Sequence, residues 1–252
     1  MNYKYFLFAF FYSLTALAFV ACNGEKELRY MSYNVRDGKG MDDLTDYART
    51  ASIINRYNPD VVAIQELDSV TERSKQKYVL GELAQLTGMH ATYAAAINYS
   101  GGKYGIGILS KEKPENIYRY ALPGREEART LLVAEFRDYV CCCMHLSLTE
   151  EDRMLSLPII REAVYPYKKP VFIAGDWNAT PESEFIKQVN NHFILLTDTT
   201  RFTFPADTPR CTLDYIALSK NSQINIIDKE TDVIDAPCES DHRPVVAKIR
   251  WK

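Results

Sequence analysis

Histidine is scarce: the chain has four in 252 residues. His90 and His192 fall in expected helix-to-strand connections without acidic neighbours and read as surface or capping residues. Only His145 and His242 stand in charged or loop-edge surroundings, which excludes a three-histidine zinc centre. The six cysteines do not make up the shortfall, because no clustered Cys or His ligands occur. A Gly-x-Ser-x-Gly nucleophile elbow is missing, and so is a Gly-x-x-x-x-Gly-Lys phosphate loop. A basic stripe is also lacking. Net charge is −3, pI is near 5.9, and Lys and Arg are scattered, which disfavours tight nonspecific binding to nucleic acid. No internal repeat, low-complexity stretch or interdomain linker divides the chain. With 46% hydrophobic residues, its length suits one α/β domain around one sizeable core.

What is present is a set of polar residues at the ends of apolar runs. The clearest run is Pro170-Val171-Phe172-Ile173-Ala174-Gly175-Asp176-Trp177-Asn178. Val171 to Ala174 predicts a strand buried on both faces, ended by a glycine that lets the chain turn or approach closely. On an extended backbone, Asp176 and Asn178 point the same way. A carboxylate there can take a proton from water or hold a metal, and an amide both donates and accepts. A solvated turn is the competing reading, since Asp and Asn are common turn formers.

The pattern recurs along the chain. Residues 28–35 predict a first strand reaching Asn34. Asp43 is expected to cap a helix over 44–57, with Leu44, Tyr47, Ala48, Ala51, Ile54 and Tyr57 at helical spacing. Val61 to Ile64 predicts a second buried strand that delivers Gln65-Glu66 at its end. A helix is expected over 75–86. Strands are expected over 91–97 and 104–110, about a hairpin turn at Gly101-Gly102. Two more are expected over 117–122 and 131–136. Arg129, just before the latter, has two readings: an ion pair with Glu126 or Glu127, or a place near a cleft. Tyr104 reads as a packing residue. Residues 139–144, with Cys141, Cys142 and Cys143 as small core residues, run into His145. The helical pattern over 150–165 contains Pro158, which should kink or split it. Pro181 at a first helical position predicts a short helix to about Asn190. The last strands are expected over 193–196, 215–218, 224–227 and 244–249. Asp214 introduces the second of these four, and Ser240-Asp241-His242-Arg243 precedes the last.

Strands outnumber helices, which suggests two mixed sheets face to face with helices outside. Asn34, Glu66, His145, Asp176, Asn178, Asp214, Asp241 and His242 each lie at an end of an expected strand. If those ends share one rim, they form a single cleft. Several carboxylates without clustered thiols suit a hard divalent cation, Mg²⁺ or Mn²⁺, over zinc. Metal-assisted water attack on a phosphate ester fits such a set.

Residues 1–21 differ in kind, with Lys4 the only charge and a mostly apolar run from Phe6 to Val20. They read as a secretory signal. Phe19-Val20-Ala21-Cys22 resembles a bacterial lipobox, with Phe where Leu is usual. The resemblance implies a lipidated Cys22, a tether over 22–28 and an exported chain anchored at a membrane surface, which leaves 29–252 as the folded domain. A plain signal peptide or an uncleaved anchor is the alternative. In an exported protein Cys211 and Cys238 can pair, although connectivity is not readable from sequence.

In order and approximate spacing, the motif set resembles the endonuclease/exonuclease/phosphatase superfamily. The set is Asn34, Gln65-Glu66, Tyr104 to Ser110, Arg129, His145-Leu146, Gly175 to Asn178, Leu213 to Ile216, and Ser240 to Val245. The resemblance implies a DNase I-like, four-layer α/β/β/α sandwich and a Mg²⁺-dependent (or Mn²⁺-dependent) phosphoesterase, expected as a monomer. It implies Glu66 as main metal ligand with Asn34 and Asp241 beside it, and Asp176 as the residue that activates or orients water. Asn178 is implied to bind phosphate. His242, oriented by Asp214, and His145 are implied to contact the phosphate. Arg129 is a candidate substrate-binding residue. The expected substrate is a phosphate mono- or diester, from a small organic phosphate to a phospholipid or inositol-type headgroup. A DNase I-like endonuclease and a non-catalytic surface binding module are the alternatives; nucleic acid is not favoured.

Overall fold

The structure, a computed structural model, describes residues 24–252. The expected signal segment and Cys22 lie outside the described residues. In chain order the strands and helices are β1 (Lys26–Asn34), α1 (Tyr47–Tyr57), β2 (Val61–Ser69), α2 (Val79–Thr87), β3 (His90–Tyr99), β4 (Gly102–Ser110), β5 (Asn116–Leu122), β6 (Arg129–Glu135), β7 (Val140–His145), α3 (Glu150–Val164), β8 (Val171–Asp176), α4 (Glu184–Val189), β9 (Phe193–Leu195), β10 (Asp214–Ser219), β11 (Ile226–Val233) and β12 (Val245–Trp251). One sheet has the order β11-β12-β1-β2-β4-β3 and the other β5-β6-β7-β8-β10-β9. β1 pairs parallel with β2, and β7 parallel with β8; the other pairings are antiparallel.

Three apolar clusters make this a four-layer α/β/β/α sandwich. Leu28, Tyr30, Ile108, Leu132, Phe172 and Ile216 meet between the sheets. Val62, Ile64 and Leu109 pack on Ile53, Ile54, Leu80 and Leu83 of α1 and α2. Val133, Ile173 and Tyr215 pack on Leu157, Ile160, Phe185 and Ile186 of α3 and α4. Each large side chain so buried contributes about 1.5–3 kcal/mol. β1, β2, β7, β8 and β10 are covered on both faces, which is why they read as near-continuous apolar runs. Cys141, Cys142 and Cys143 are core residues. The Tyr30 hydroxyl donates to the Cys142 carbonyl at 2.7 Å and ties the two sheets together.

Local differences from the sequence reading have local causes. Asp46, not Asp43, caps α1, accepting from the Ala48 and Arg49 amides. Asp43 sits in a left-handed conformation at φ 61° and Leu44 is exposed. The second helix begins at Val79, because Lys75 and Gln76 are left-handed and cannot continue a right-handed helix. α3 runs unbroken through Pro158, with Leu157, Ile160, Ala163 and Val164 packed on the sheet. Ser183 accepts from the Ile186 amide and starts α4, so Pro181 belongs to the preceding turn. Lys26 to Leu28, expected in the tether, already pair with Ile249 to Trp251. Cys211 and Cys238 are both free.

Candidate active site

Strand register assembles the site. In β7, β8 and β10, Asp176 has His145 as its Cα partner on one side and Asp214 on the other. In the facing sheet, Asn34 ends β1 beside Gln65 of β2. The two strand ends meet: Asn34 Nδ2 donates to Asp176 Oδ2 at 3.1 Å and to Glu66 Oε1 at 2.9 Å.

Glu66 is not at a strand end. β2 continues to Ser69, and its pairing with β4 slips between Ile64 and Leu67. At this bulge Glu66 adopts φ 60°, the kind of irregularity that re-aims a side chain. Gly175 is needed for a different reason. A Cβ there would meet the Met144 carbonyl oxygen at 1.9 Å, so β8 approaches β7 only without a side chain at that point.

Two imidazoles flank Asp176. Its Oδ2 lies 3.6 Å from His145 Nε2 and 3.5 Å from His242 Nε2. The other face of the His242 ring is held, with Nδ1 2.9 Å from Asp214 Oδ2, and the Phe204 ring lies against it at 4.7 Å. Asn178 is left-handed at φ 49°. Its amide N–H donates to Asp176 Oδ1 and its Nδ2 donates to the Leu146 carbonyl. The Ser240 hydroxyl donates to the Asn34 carbonyl at 2.7 Å, which fastens the Asp241-His242 segment to β1. Asp241 keeps Oδ2 3.7 Å from Arg36 Nε and is half-buried.

The electrostatics split the two histidines. Burial opposes charge on His242, but Asp214 and Asp176 outweigh it and push the imidazole up to about 10. Burial pushes His145 down to about 4 against the pull of Asp176, with Arg129 and His242 adding to the fall. At neutral pH one ring is cationic and the other neutral. Burial also pushes Glu66 up to about 7; the Asn34 hydrogen bond opposes the rise, while Asp241 and Asp176 add to it.

All eight expected residues therefore converge on one rim. Arg129 makes the expected ion pairs and lies beside His145. It pairs with Glu127 at 3.0 Å and Glu126 at 3.5 Å, and it lines a small cleft with Tyr104, Gly105 and His145. Tyr104 packs under the Arg73 guanidinium, which also lies over Tyr99. Phe204 carries no motif in the sequence and is found only through its contact with His242.

The oxygen-rich donor set suits a hard cation. Glu66 is raised first by burial and then by Asp241 and Asp176, so a cation there would relieve a buried acid among other acids, and Asn34 hydrogen-bonds the same carboxylate. Ligand atoms of Asp176, Asp214 and His242 also lie within 4.8 Å of one another. Asp214 and His242 already share a hydrogen bond, so the oxygens about Glu66 are the better fit.

Residues 31–242 match the Endonuclease/Exonuclease/phosphatase family. The chain belongs to this family. Its members are phosphoesterase and nuclease hydrolases and usually use divalent metals. No curated protein sequence matches the chain. Among solved structures, the family protein from Bacteroides vulgatus is 16% identical with a TM-score of 0.71, over 90% of this chain and 100% of that one. Truncated Caenorhabditis elegans TDP2 is 19% identical with a TM-score of 0.65, over 88% and 97%. A mannosyl-6-phosphatase from Bacteroides thetaiotaomicron is 14% identical with a TM-score of 0.65, over 89% and 99%. At these identities they establish the family's DNase I-like sandwich and nothing finer.

Proposed function

We propose that the chain is a divalent-metal-dependent phosphoesterase that hydrolyses a phosphate mono- or diester by direct attack of water. The observation that carries this reading is Asp176 Oδ2 held between His145 Nε2, His242 Nε2 and Asn34 Nδ2 at 3.6, 3.5 and 3.1 Å. Hydrogen bonds from Asn34 and the Asn178 backbone hold Asp176 at the centre of the rim, positioned to orient a water and accept its proton. His242 is a fixed cation and donates from Nε2 to phosphoryl oxygens as charge builds. Neutral His145 offers a donor without adding a second charge. Asn178 contacts the phosphate, and Arg129 contacts the substrate at the edge of the cleft. Asn34, Glu66 and Asp241 would hold Mg²⁺ or Mn²⁺, which supplies positive charge to the phosphoryl oxygens and acidifies bound water.

The formal charge of −3 argues against a nuclease, since tight nonspecific grip on nucleic acid needs a basic face. Retention of both imidazoles and every expected acid argues against a binding module without chemistry. The test is a screen of phosphate esters, including bis-p-nitrophenyl phosphate and a phosphomonoester analogue, with Mg²⁺ or Mn²⁺ and EDTA controls. Turnover that EDTA stops and His242→Ala abolishes supports the reading. Undiminished turnover by the variant, or ligand binding without turnover, removes it.

A further inference from the structure

The site occupies one rim of the sandwich, and the first described residue leaves from the other. β1 enters at Lys26 and delivers Asn34 to the site. Nine residues of strand at about 3.3 Å each put the two ends about 30 Å apart. The opposite rim, the base, also holds the starts of β8 and β11 and the end of β10. Gly24 lies there in a cleft with Gln223 and Ile224. Only Asn23, Gly24 and Glu25 separate Cys22 from Lys26, a leash of at most about 14 Å. That leash lets the domain tilt but not invert.

Charge decides the tilt. Beside the same β10–β11 connection is a base cavity of about 230 Å³, lined by Arg161, His192, Ser219 and Lys220, with Glu162 its one acid. Neither Arg161 nor Lys220 is in an ion pair among the described residues. His192 is held below its ordinary value by burial and by both cations, so the three groups act on one space. The mouth is richer in acid. It carries Glu66, Asp176, Asp214 and Asp241, with Asp207 exposed close to Asp241, against Arg36, Arg129 and the cationic His242. An anionic bilayer attracts the base and repels the mouth.

We propose that Cys22 ties the chain to a membrane with the base cavity against anionic headgroups and the mouth turned to the aqueous side. The substrate is then a water-soluble phosphate ester and not a lipid of the bilayer that holds the enzyme. This second clause rests on the phosphoesterase reading above; the orientation does not.

The test uses the full lipidated chain in vesicles of phosphatidylglycerol and phosphatidylcholine, with Cys211→Ser to leave one exposed thiol. A donor dye on Cys238, at the mouth, is compared with one at Lys168→Cys, at the base, in a Cys238→Ser background. The acceptor is a headgroup-labelled lipid. Transfer should be stronger from position 168, and Arg161→Glu with Lys220→Glu should shrink the difference. Equal or reversed transfer, or a mature chain without lipid, overturns the orientation. The anchored enzyme should then cleave a soluble ester but not the same headgroup on a lipid of its own bilayer. A Gly/Ser insert of 30 residues after Gly24, with a root-mean-square span of about 30 Å, should restore cleavage of that lipid. Cleavage of the bilayer lipid with the native leash overturns the substrate assignment. Absence of turnover on every ester defeats the phosphoesterase reading instead and leaves the energy-transfer result standing.

Discussion

His242 Nδ1 lies 2.9 Å from Asp214 Oδ2, and the second oxygen of that carboxylate is buried without a hydrogen-bond partner. Asp214 therefore directs its charge at one ring. This contact fixes which nitrogen of His242 faces Asp176 and keeps the imidazole protonated in a place where burial alone would discharge it.

Asp214→Asn should lower the His242 pKa and cost about 10²–10⁴ in turnover, the range for a correctly placed acid–base group. The pH profile separates this from a folding defect. The alkaline limit of activity should move toward neutral pH in the variant. An unmoved limit with reduced amplitude would show that Asp214 acts only on structure.

Stability of the metal-free protein should depend on pH in a calculable direction. His242 rises from 6.5 to about 10 on folding, so its contribution is complete below pH 6.5 and is lost as pH rises through 10. His145 falls from 6.5 to about 4, so the unfolded chain binds the extra proton and stability drops as pH falls from 6.5 to 4. Glu66, raised from 4.5 to about 7, favours the folded state at acid pH and loses that contribution as pH rises through 7. The His145 and Glu66 effects oppose each other between pH 4.5 and 6.5. From pH 7 to about pH 9 the His242 loss leads, and above that the buried thiols of Cys141, Cys142 and Cys143, which burial holds above their ordinary 9.0, add their own loss. Thermal unfolding in EDTA should therefore show a Tm that declines from pH 7 onward, and His242→Gln should flatten the decline below about pH 9 while leaving the steeper fall above it.

How much of this was legible in the sequence depended on periodicity. Asn34, His145 and Asp176 end apolar runs, and Asp214 begins one, so each was visible as a polar residue at a strand end. Glu66 was visible as a residue but not in its setting, because a bulge leaves no periodic signature once the strand resumes at Leu67. Asp43 and Asp46 are both acids ahead of the same apolar stripe, so pattern alone does not choose the α1 cap; backbone conformation gives it to Asp46. The start of α2 was missed because left-handed Lys75 and Gln76 are ordinary helix formers by propensity. Phe204 against His242 is a contact across 38 residues of chain that no local pattern encodes.

Gly175→Ala should be costly out of proportion to one methyl. Its Cβ would meet backbone, the Met144 carbonyl, at 1.9 Å, and a carbonyl in a parallel ladder cannot move aside as a flexible side chain can. The loss should be about 1–3 kcal/mol, the usual cost of overpacking. It should appear as a lower urea midpoint with an unchanged slope. Activity should fall further than stability, since the strand end that shifts carries Asp176.

Glu66→Gln separates a metal ligand from a structural acid. A buried carboxylate raised to about 7 is poorly placed for the apo protein, because at neutral pH it ionises against burial and against Asp241 and Asp176. An amide of the same shape removes that charge and keeps a hydrogen-bonding partner for Asn34. The variant should therefore be as stable as the parent in EDTA, or more so. The parent should gain stability as Mg²⁺ or Mn²⁺ is added, by about 2.7 kcal/mol at a hundredfold excess over Kd. The variant should show little of that gain and little turnover. The opposite pattern, a variant destabilised in EDTA that still responds to the cation, would assign Glu66 to the fold and move the cation elsewhere on the rim.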